Sequence, residues 1–136
     1  MLSRRKFSTC AICAVAGFAA TAVGEARAQS PAGFKRTILQ KTDLTDKYVT
    51  VLVAVDLDAG ALVPRHTHPG VESAYILDGE FELSVHGQPA RMVKTGDGFQ
   101  IPPEVPHSAR NGAKPTKILV TYAVEKDKPL ASPAPE

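Results

Sequence analysis

The sequence predicts an all-β fold, a sandwich or barrel of short strands, and three observations support this prediction. Residues 49–57 carry valine or leucine at every odd position, as expected of a strand that buries one face. Several further short apolar runs are separated by turns that contain glycine. Helix signals are few, and Pro129, Pro133 and Pro135 exclude a regular C-terminal helix. Short strands at this spacing are typical of β-sandwiches and barrels.

The predicted strands follow one another along the chain. After the first come 73–77, 81–85, 90–94, 99–101, 107–110 and a last long strand, 117–124. Gly79 is expected to take the positive φ of a hairpin turn between strands 73–77 and 81–85. The last strand is apolar at positions of both phases, so we expect both of its faces to be buried.

The two ends of the domain are predicted to differ from its centre. Residues 29–35 and 126–136 are expected to be extended or mobile, because loose termini are the common outcome in small domains. A tail that wraps over a neighbouring subunit is the alternative. Exposed barrel edges and the apolar faces of end strands favour pairing, so we predict a homodimer.

Two histidines and a glutamate form the first candidate site. His66 and His68 are one residue apart, so both side chains lie on one face of an extended strand. Glu72 follows a Pro-Gly turn that can fold the chain back and bring its carboxylate to the imidazoles. Nitrogen and carboxylate ligands suit iron, manganese, nickel, zinc or copper, and suit calcium poorly. Incidental histidines on an exposed strand are the alternative to a metal site.

A second segment, residues 96–111, supplies His107 as a candidate fourth ligand. Both segments resemble the motifs of the cupin family. The first cupin motif is Gly, five residues, His-x-His, three or four residues, Glu, six residues, Gly; the second is Gly, five residues, Pro-x-Gly, two residues, His, three residues, Asn. The matching residues are Gly60, His66, His68, Glu72 and Gly79 in the first motif, and Gly96, Pro102, His107 and Asn111 in the second.

The resemblance implies a single jelly-roll β-barrel that holds one divalent transition metal. Its ligands would be His66, His68, Glu72 and His107. Four protein ligands leave two of six octahedral positions for water, substrate or dioxygen, which is what chemistry at a metal requires. A closed structural zinc site is the alternative, although such sites prefer cysteine.

Glu104 stands where the second cupin motif has glycine. A glycine after Pro103 permits a type II turn with positive φ, whereas glutamate favours a type I turn. We therefore expect the loop that aims His107 to differ slightly from the family's. As a carboxylate on a turn, Glu104 is expected to be exposed to solvent.

Residues 1–28 are predicted to be a cleaved export signal. Arg4-Arg5 lies in a segment that resembles the twin-arginine motif, an apolar stretch follows, and Ala26-Arg27-Ala28 predicts cleavage before Gln29. The alternative of an uncleaved membrane anchor is disfavoured, because the apolar run is shorter than the about 20 residues that span a bilayer. The mature protein, a single domain of residues 29–136, is therefore expected in the periplasm or outside the cell, free of the membrane.

Removal of the signal changes the bulk properties of the chain. Four of the 16 basic residues and one of the 14 acidic residues leave with it, so the net charge falls to −1. The remaining chain offers no basic stripe for nucleic acid. Both cysteines, Cys10 and Cys13, also leave, which excludes a disulfide, a thiolate nucleophile and a thiolate metal site.

Strand phase predicts which side chains surround the metal. The candidates for the pocket wall are Phe99, Ile101 and Tyr122, with Arg110 as an anion-binding group. The resemblance implies an enzyme that acts on a small organic molecule, a dioxygenase or else a lyase or isomerase. A barrel that binds a small ligand or a metal without turnover is the alternative, because a fold does not determine its function.

The export route bears on the identity of the metal. By the usual affinity series, three imidazoles and a carboxylate bind copper and zinc more tightly than manganese or iron(II). Twin-arginine export carries folded proteins, so the site can be filled before the protein meets the metals outside. Manganese or iron(II) is therefore the expected metal, with zinc, nickel and copper as alternatives.

Overall fold

A computed structural model describes residues 31–135 of the 136-residue chain as ten β-strands. The strands are β1 (Phe34–Asp43), β2 (Tyr48–Leu57), β3 (Leu62–Thr67), β4 (Gly70–Asp78), β5 (Glu80–Val85), β6 (Arg91–Lys94), β7 (Gly98–Ile101), β8 (His107–Asn111), β9 (Thr116–Glu125) and β10 (Ser132–Pro133). Residues 31–135 contain no helix, and hence none with the length and hydrophobicity needed to cross a membrane. The predicted signal, residues 1–28, lies outside the described part.

The strands form two five-stranded sheets in which every pair is antiparallel. The first sheet has the order β1-β2-β9-β4-β7, and the second has the order β10-β3-β8-β5-β6. The core lies between the inner faces of the two sheets. This arrangement confirms the all-β jelly-roll prediction.

Strand alternation explains how the core is filled. On β2 every odd residue from Val49 to Leu57 is buried, as the pattern predicted. Val53 and Ile76 of the first sheet and Phe81 and Val93 of the second are almost fully enclosed. Burying a side chain of this size contributes about 1.5–3 kcal/mol, so these residues hold the two sheets face to face.

The turn at Gly79 does not join a hairpin. Gly79 has the predicted positive φ, 88°, but β4 pairs with β7 and β9 while β5 pairs with β6 and β8. The prediction of paired strands here was therefore wrong, because this turn carries the chain from one sheet to the other. A side chain at Gly79 would also meet Thr116 Oγ1 at 2.4 Å, so glycine is required for close packing as well.

Strand β9 was predicted to be buried on both faces, and only one face is. Val120 and Tyr122 point into the core and are buried, whereas Thr121 is exposed and Leu119 is half-buried. The reason is that β9 is central within its sheet, but only the inner face of that sheet is covered by the second sheet.

Both ends of the described part, residues 31–135, contribute residues to strands. Residues 34–35 begin β1, and Ser132–Pro133 pair with β3 as strand β10. Leu130 packs against the core, and Arg65 Nε donates a hydrogen bond of 2.8 Å to the carbonyl of Pro135. The C-terminal segment, which was expected to be extended or mobile, is thus hydrogen-bonded to the strand that carries His66.

Several large apolar side chains are exposed, among them Ile38 and Leu39 on β1 and Tyr75 and Leu77 on β4. They lie on the first sheet, and β1 is one edge of that sheet. Exposed apolar groups beside an open edge suit pairing with another chain. The homodimer stays a prediction.

Candidate metal centre

Three imidazoles meet between the two sheets. His66 lies on β3 and His107 begins β8, and the two residues face each other in the β3–β8 register. His68 lies just beyond β3. The ring centroids are separated by 4.2 Å for His66 and His107, 4.8 Å for His66 and His68, and 5.1 Å for His68 and His107. One ring nitrogen from each lies within 4.8 Å of the others.

A backbone carbonyl holds each of these rings by its Nδ1 atom. His66 Nδ1 lies 2.8 Å from the carbonyl of Pro64, and His107 Nδ1 lies 2.9 Å from that of Val105. His68 Nδ1 contacts the carbonyl of Leu130, in the C-terminal segment. A carbonyl only accepts, so each Nδ1 carries a proton, and when the ring is neutral its Nε2 atom presents a lone pair. This is the arrangement that outer groups impose on metal-binding histidines.

Glu72 on β4 completes the cluster from the opposite sheet. Its Oε2 atom lies 3.1 Å from His68 Nε2 and 3.0 Å from His107 Nε2. Burial by itself would raise the pKa of this carboxyl group, but in the metal-free cluster hydrogen bonds from protonated His107 and His68, together with their positive charge, outweigh burial and hold the pKa at about 2. Glu72 is therefore ionised at neutral pH.

Three buried atoms of this cluster lack a hydrogen-bond partner within residues 31–135: His68 Nε2, His107 Nε2 and Glu72 Oε2. All three are acceptors when the two rings are neutral with their protons on Nδ1, which is the state that binds a metal. Converging buried acceptors without a donor are costly in an apolar interior, and a cation among them removes that cost. Burial, followed by the positive charge that His107 carries when protonated, lowers the pKa of His66 to about 4, so the His66 ring is neutral at pH 7. The donor set fits a divalent transition metal.

Glu104 adopts the conformation expected of the glycine it replaces. Its φ is +59°, and the Val105 N–H reaches the carbonyl of Pro102 at 3.4 Å, which closes a turn over Pro103 and Glu104. The expectation of a different turn was therefore wrong. The Glu104 N–H donates a hydrogen bond of 2.9 Å to the carbonyl of His68, and this bond ties the loop to the metal-ligand segment. Its side chain is exposed, as predicted.

Asn111, the last residue of the second motif, has a structural role. Its buried amide donates to the carbonyls of Leu57, Asp58 and Lys114, and its Oδ1 accepts from Thr116 Oγ1 at 2.8 Å. The side chain therefore satisfies the backbone of two turns. The sequence alone contained no signal that distinguished this structural role from a role as a metal ligand.

The predicted pocket residues divide into three groups. Phe99 and Tyr122 line a cavity of about 50 Å³ beside the imidazoles, together with His66, Glu72 and His107. Ile101 is buried beside Glu72 in the β4–β7 register but does not line this cavity. Arg110 is exposed, because alternation along β8 points His107 and Ala109 inward and Arg110 outward. The prediction of Arg110 as an anion-binding group in the pocket was wrong.

Tyr122 places its aromatic ring beside the cluster. Its ring centroid lies 4.7 Å from that of His68. Burial raises the pKa of Tyr122, the Glu72 carboxylate raises it further, and the Arg36 charge lowers it slightly. The phenol therefore keeps its proton at neutral pH.

Sequence reasoning missed three contributors to this region. Leu130 supplies the carbonyl that holds His68, Phe34 lines the cavity, and Arg36 lies on the same strand as Phe34. None lies within a motif. The sequence of β1, residues 34–43, does not alternate between apolar and polar residues, so it gave no strand signal.

Comparison with known proteins gives one family and several structural relatives. The cupin domain family matches residues 53–122, just over half of the chain. The dimethylsulfoniopropionate lyase DddQ of Ruegeria pomeroyi is 37% identical over 68 residues, which are 50% of this chain and 34% of that enzyme. Its crystal structure aligns with a TM-score of 0.65 and 27% identity over 74% of this chain and 51% of that one. The chain thus matches about a third of the curated relative's sequence and half of its structure.

Two further structures resemble the fold. KdgF from a Halomonas species aligns with a TM-score of 0.57 and 25% identity, covering 71% of this chain and 84% of that one. The polyketide cyclase RemF of Streptomyces resistomycificus aligns with a TM-score of 0.64 and 21% identity, covering 81% and 77% of the two chains. At that identity, RemF supports the fold alone.

Proposed function

This chain belongs to the cupin family, and we propose that it is a metal-dependent enzyme that acts on a small organic substrate, with lyase chemistry as its reaction type. The observation that carries the proposal is the convergence of His68 Nε2, His107 Nε2 and Glu72 Oε2 as buried acceptors without a donor among the described residues. His66 joins them as a neutral imidazole. These four side chains would hold one divalent ion, for which we propose manganese or iron(II).

The metal, when bound, would supply a Lewis acid that polarises a substrate oxygen. The protein supplies the environment. Apolar side chains from both sheets, among them Leu57, Phe81 and Phe99, wall the cavity beside the ligands and limit the entry of water. Charges and dipoles inside such a cavity act more strongly than in water.

Tyr122 is proposed to place a proton at the reacting centre. Its phenol stays protonated, lies against His68 and lines the cavity, so its Oη can donate a hydrogen bond to a substrate atom that gains negative charge. Glu72 is ionised and already surrounded by imidazoles, so it serves as a ligand and not as a proton donor.

A lyase is favoured over a dioxygenase because the curated relative that is 37% identical over half of this chain is named a lyase. The cavity brings Tyr122 to the ligand cluster, where its protonated hydroxyl group could donate a hydrogen bond to negative charge that develops on the substrate during elimination. We also propose export through the twin-arginine route to the periplasm or outside, and assembly as a homodimer. Neither proposal is needed for the chemistry.

The reaction type is tested by supplying the metal-loaded protein with dimethylsulfoniopropionate and a set of small carboxylic acids. Substrate loss is followed by proton NMR while an electrode records oxygen. We expect at least one compound to disappear without oxygen uptake. Loss that consumes oxygen stoichiometrically would identify a dioxygenase, and bound metal without any turnover would favour the non-catalytic binding module.

Replacing Tyr122 with phenylalanine is expected to lower kcat by about 10²-fold, because the ring volume is kept while the proton donor is removed. Metal content should stay at the wild-type level. Steady-state kinetics and elemental analysis on the same preparation check this. Unchanged kcat would show that the hydroxyl group takes no part in the reaction, and Tyr75→Phe, on the exposed side of β4, is the matched control.

A further inference from the structure

A groove outside the metal cavity is large enough for a substrate. The cavity beside the imidazoles measures about 50 Å³, which suits an ion and a few water molecules. A groove of about 350 Å³ lies next to it, between β1, β3 and the C-terminal segment. That volume falls at the lower end of the range for small-molecule sites. Three side chains, Phe34, Val63 and His66, line both spaces, so a molecule in the groove is adjacent to the ligand cluster.

The groove carries positive charge without a matching acid. Arg36 and Arg65 both line it, and none of its lining residues is aspartate or glutamate. Arg65 is already engaged, since its Nε donates to the carbonyl of Pro135 and its Nη2 contacts His86 Nδ1 at 3.1 Å. Arg36 forms no ion pair with any residue from 31 to 135.

Arg36 is held in place and left unsatisfied. Its guanidinium lies over the ring of Phe34, 5.1 Å from the centroid, in a cation–π contact. Its Nε atom is buried and has no hydrogen-bond partner in the described chain. A buried donor without an acceptor is costly, and the planar fork of a guanidinium matches the two oxygens of a carboxylate.

We infer that Arg36 binds the carboxylate of a small organic acid in this groove and so directs the rest of that molecule toward the imidazole cluster. This inference rests on the proposed function, because directing the molecule toward the imidazole cluster matters for a reaction only if that cluster holds the metal. It adds the substrate class, an organic anion, and a specificity-determining residue on a strand outside both histidine motifs. The Phe34 ring on which the guanidinium lies offers an apolar surface to the carbon chain of the acid.

The test measures binding of propanoate and of propanamide, its neutral counterpart, to the zinc-loaded protein by NMR titration. We expect propanoate to bind at least tenfold more tightly than propanamide. Arg36→Gln should weaken propanoate binding at least tenfold, because it removes charge-assisted hydrogen bonds, and should leave propanamide binding unchanged. Arg36→Lys should recover part of the affinity, since lysine keeps the charge without the fork. Arg110→Gln, which removes the same charge from the outer face of β8, is the control and should bind as the wild type does.

Two outcomes would overturn the inference. Equal propanoate affinity in the wild type and in both Arg36 variants would place the carboxylate on the metal itself. Equal affinities of the wild type for propanoate and propanamide would show that the site does not recognise the negative charge. Repeating the titration with EDTA separates this inference from the proposed function. Propanoate binding that depends on Arg36 and persists without metal supports the groove site even if the metal-dependent enzyme proposal fails.

Discussion

Replacing His66 and His107 together with alanine is expected to reduce bound metal from one ion per chain to less than about a tenth of that. Structural zinc held by four ligands in zinc-finger peptides has an apparent binding energy on the order of 10–16 kcal/mol, and by that comparison each ligand contributes about a hundredfold in affinity. The remaining His68 and Glu72 form only a weak two-ligand site. Elemental analysis of protein purified without added metal measures the loss.

Thermal unfolding gives an independent readout of the same change. A ligand that binds only the folded state stabilises it in proportion to the logarithm of its concentration over Kd. The wild-type Tm should therefore fall when EDTA removes the metal, whereas the Tm of the double variant should not respond. His86→Ala is the control, because His86 is exposed and lies outside the histidine cluster. Stoichiometric metal in the double variant would refute the ligand assignment.

Replacing Gly70 with alanine is expected to destabilise the fold by about 3 kcal/mol or more, a large part of the 5–15 kcal/mol typical of a domain. A Cβ atom at Gly70 would lie 2.0 Å from the Ala123 carbonyl oxygen and 2.6 Å from Val124 Cα. Both are backbone atoms of β9, so no side-chain rotation relieves the overlap. Gly70 starts β4, two residues before Glu72, and its displacement should weaken metal binding as well.

Urea unfolding of the metal-free protein measures the stability change. Gly112→Ala is the matched control, because its added Cβ would lie 3.7 Å from the nearest atom, the carbonyl oxygen of Glu80, and no positive φ is involved. That variant should stay within about 0.5 kcal/mol of the wild type. A Gly70→Ala protein as stable as the control would mean that β4 and β9 separate at little cost.

The sequence contained enough local information to predict the strands of the barrel centre. Alternation along 49–57 predicted which face of β2 is buried, because side chains alternate across any strand whatever its partners are. The histidine and glutamate spacings likewise predicted four side chains that the fold brings into one cluster, with Glu72 across from His68 and His107. Ligation by that cluster stays a prediction.

Only the tertiary structure decided which strands pair with each other. It also decided which faces of the strands in the second half of the chain are buried. Gly79 looked like a hairpin glycine, yet its turn crosses between sheets, because pairing depends on residues far away in the chain. Arg110 lies outside the pocket and Arg36 beside it, since the phase of β8 and the position of β1 depend on which sheet covers them.

The sequence also did not predict the strained backbone at Glu104 or the hydrogen bond that orients the ring of His68. Glu104 takes a positive φ of 59° that local preference disfavours, because its N–H bonds the His68 carbonyl and the surrounding loop holds it there. Leu130 orients His68 through its carbonyl, a group that every residue possesses and that carries no sequence signal. Local chemistry in the sequence thus determined which side chains are available to the site. The packing of two sheets and a C-terminal strand decided which of them meet, since contacts between distant residues depend on the whole fold.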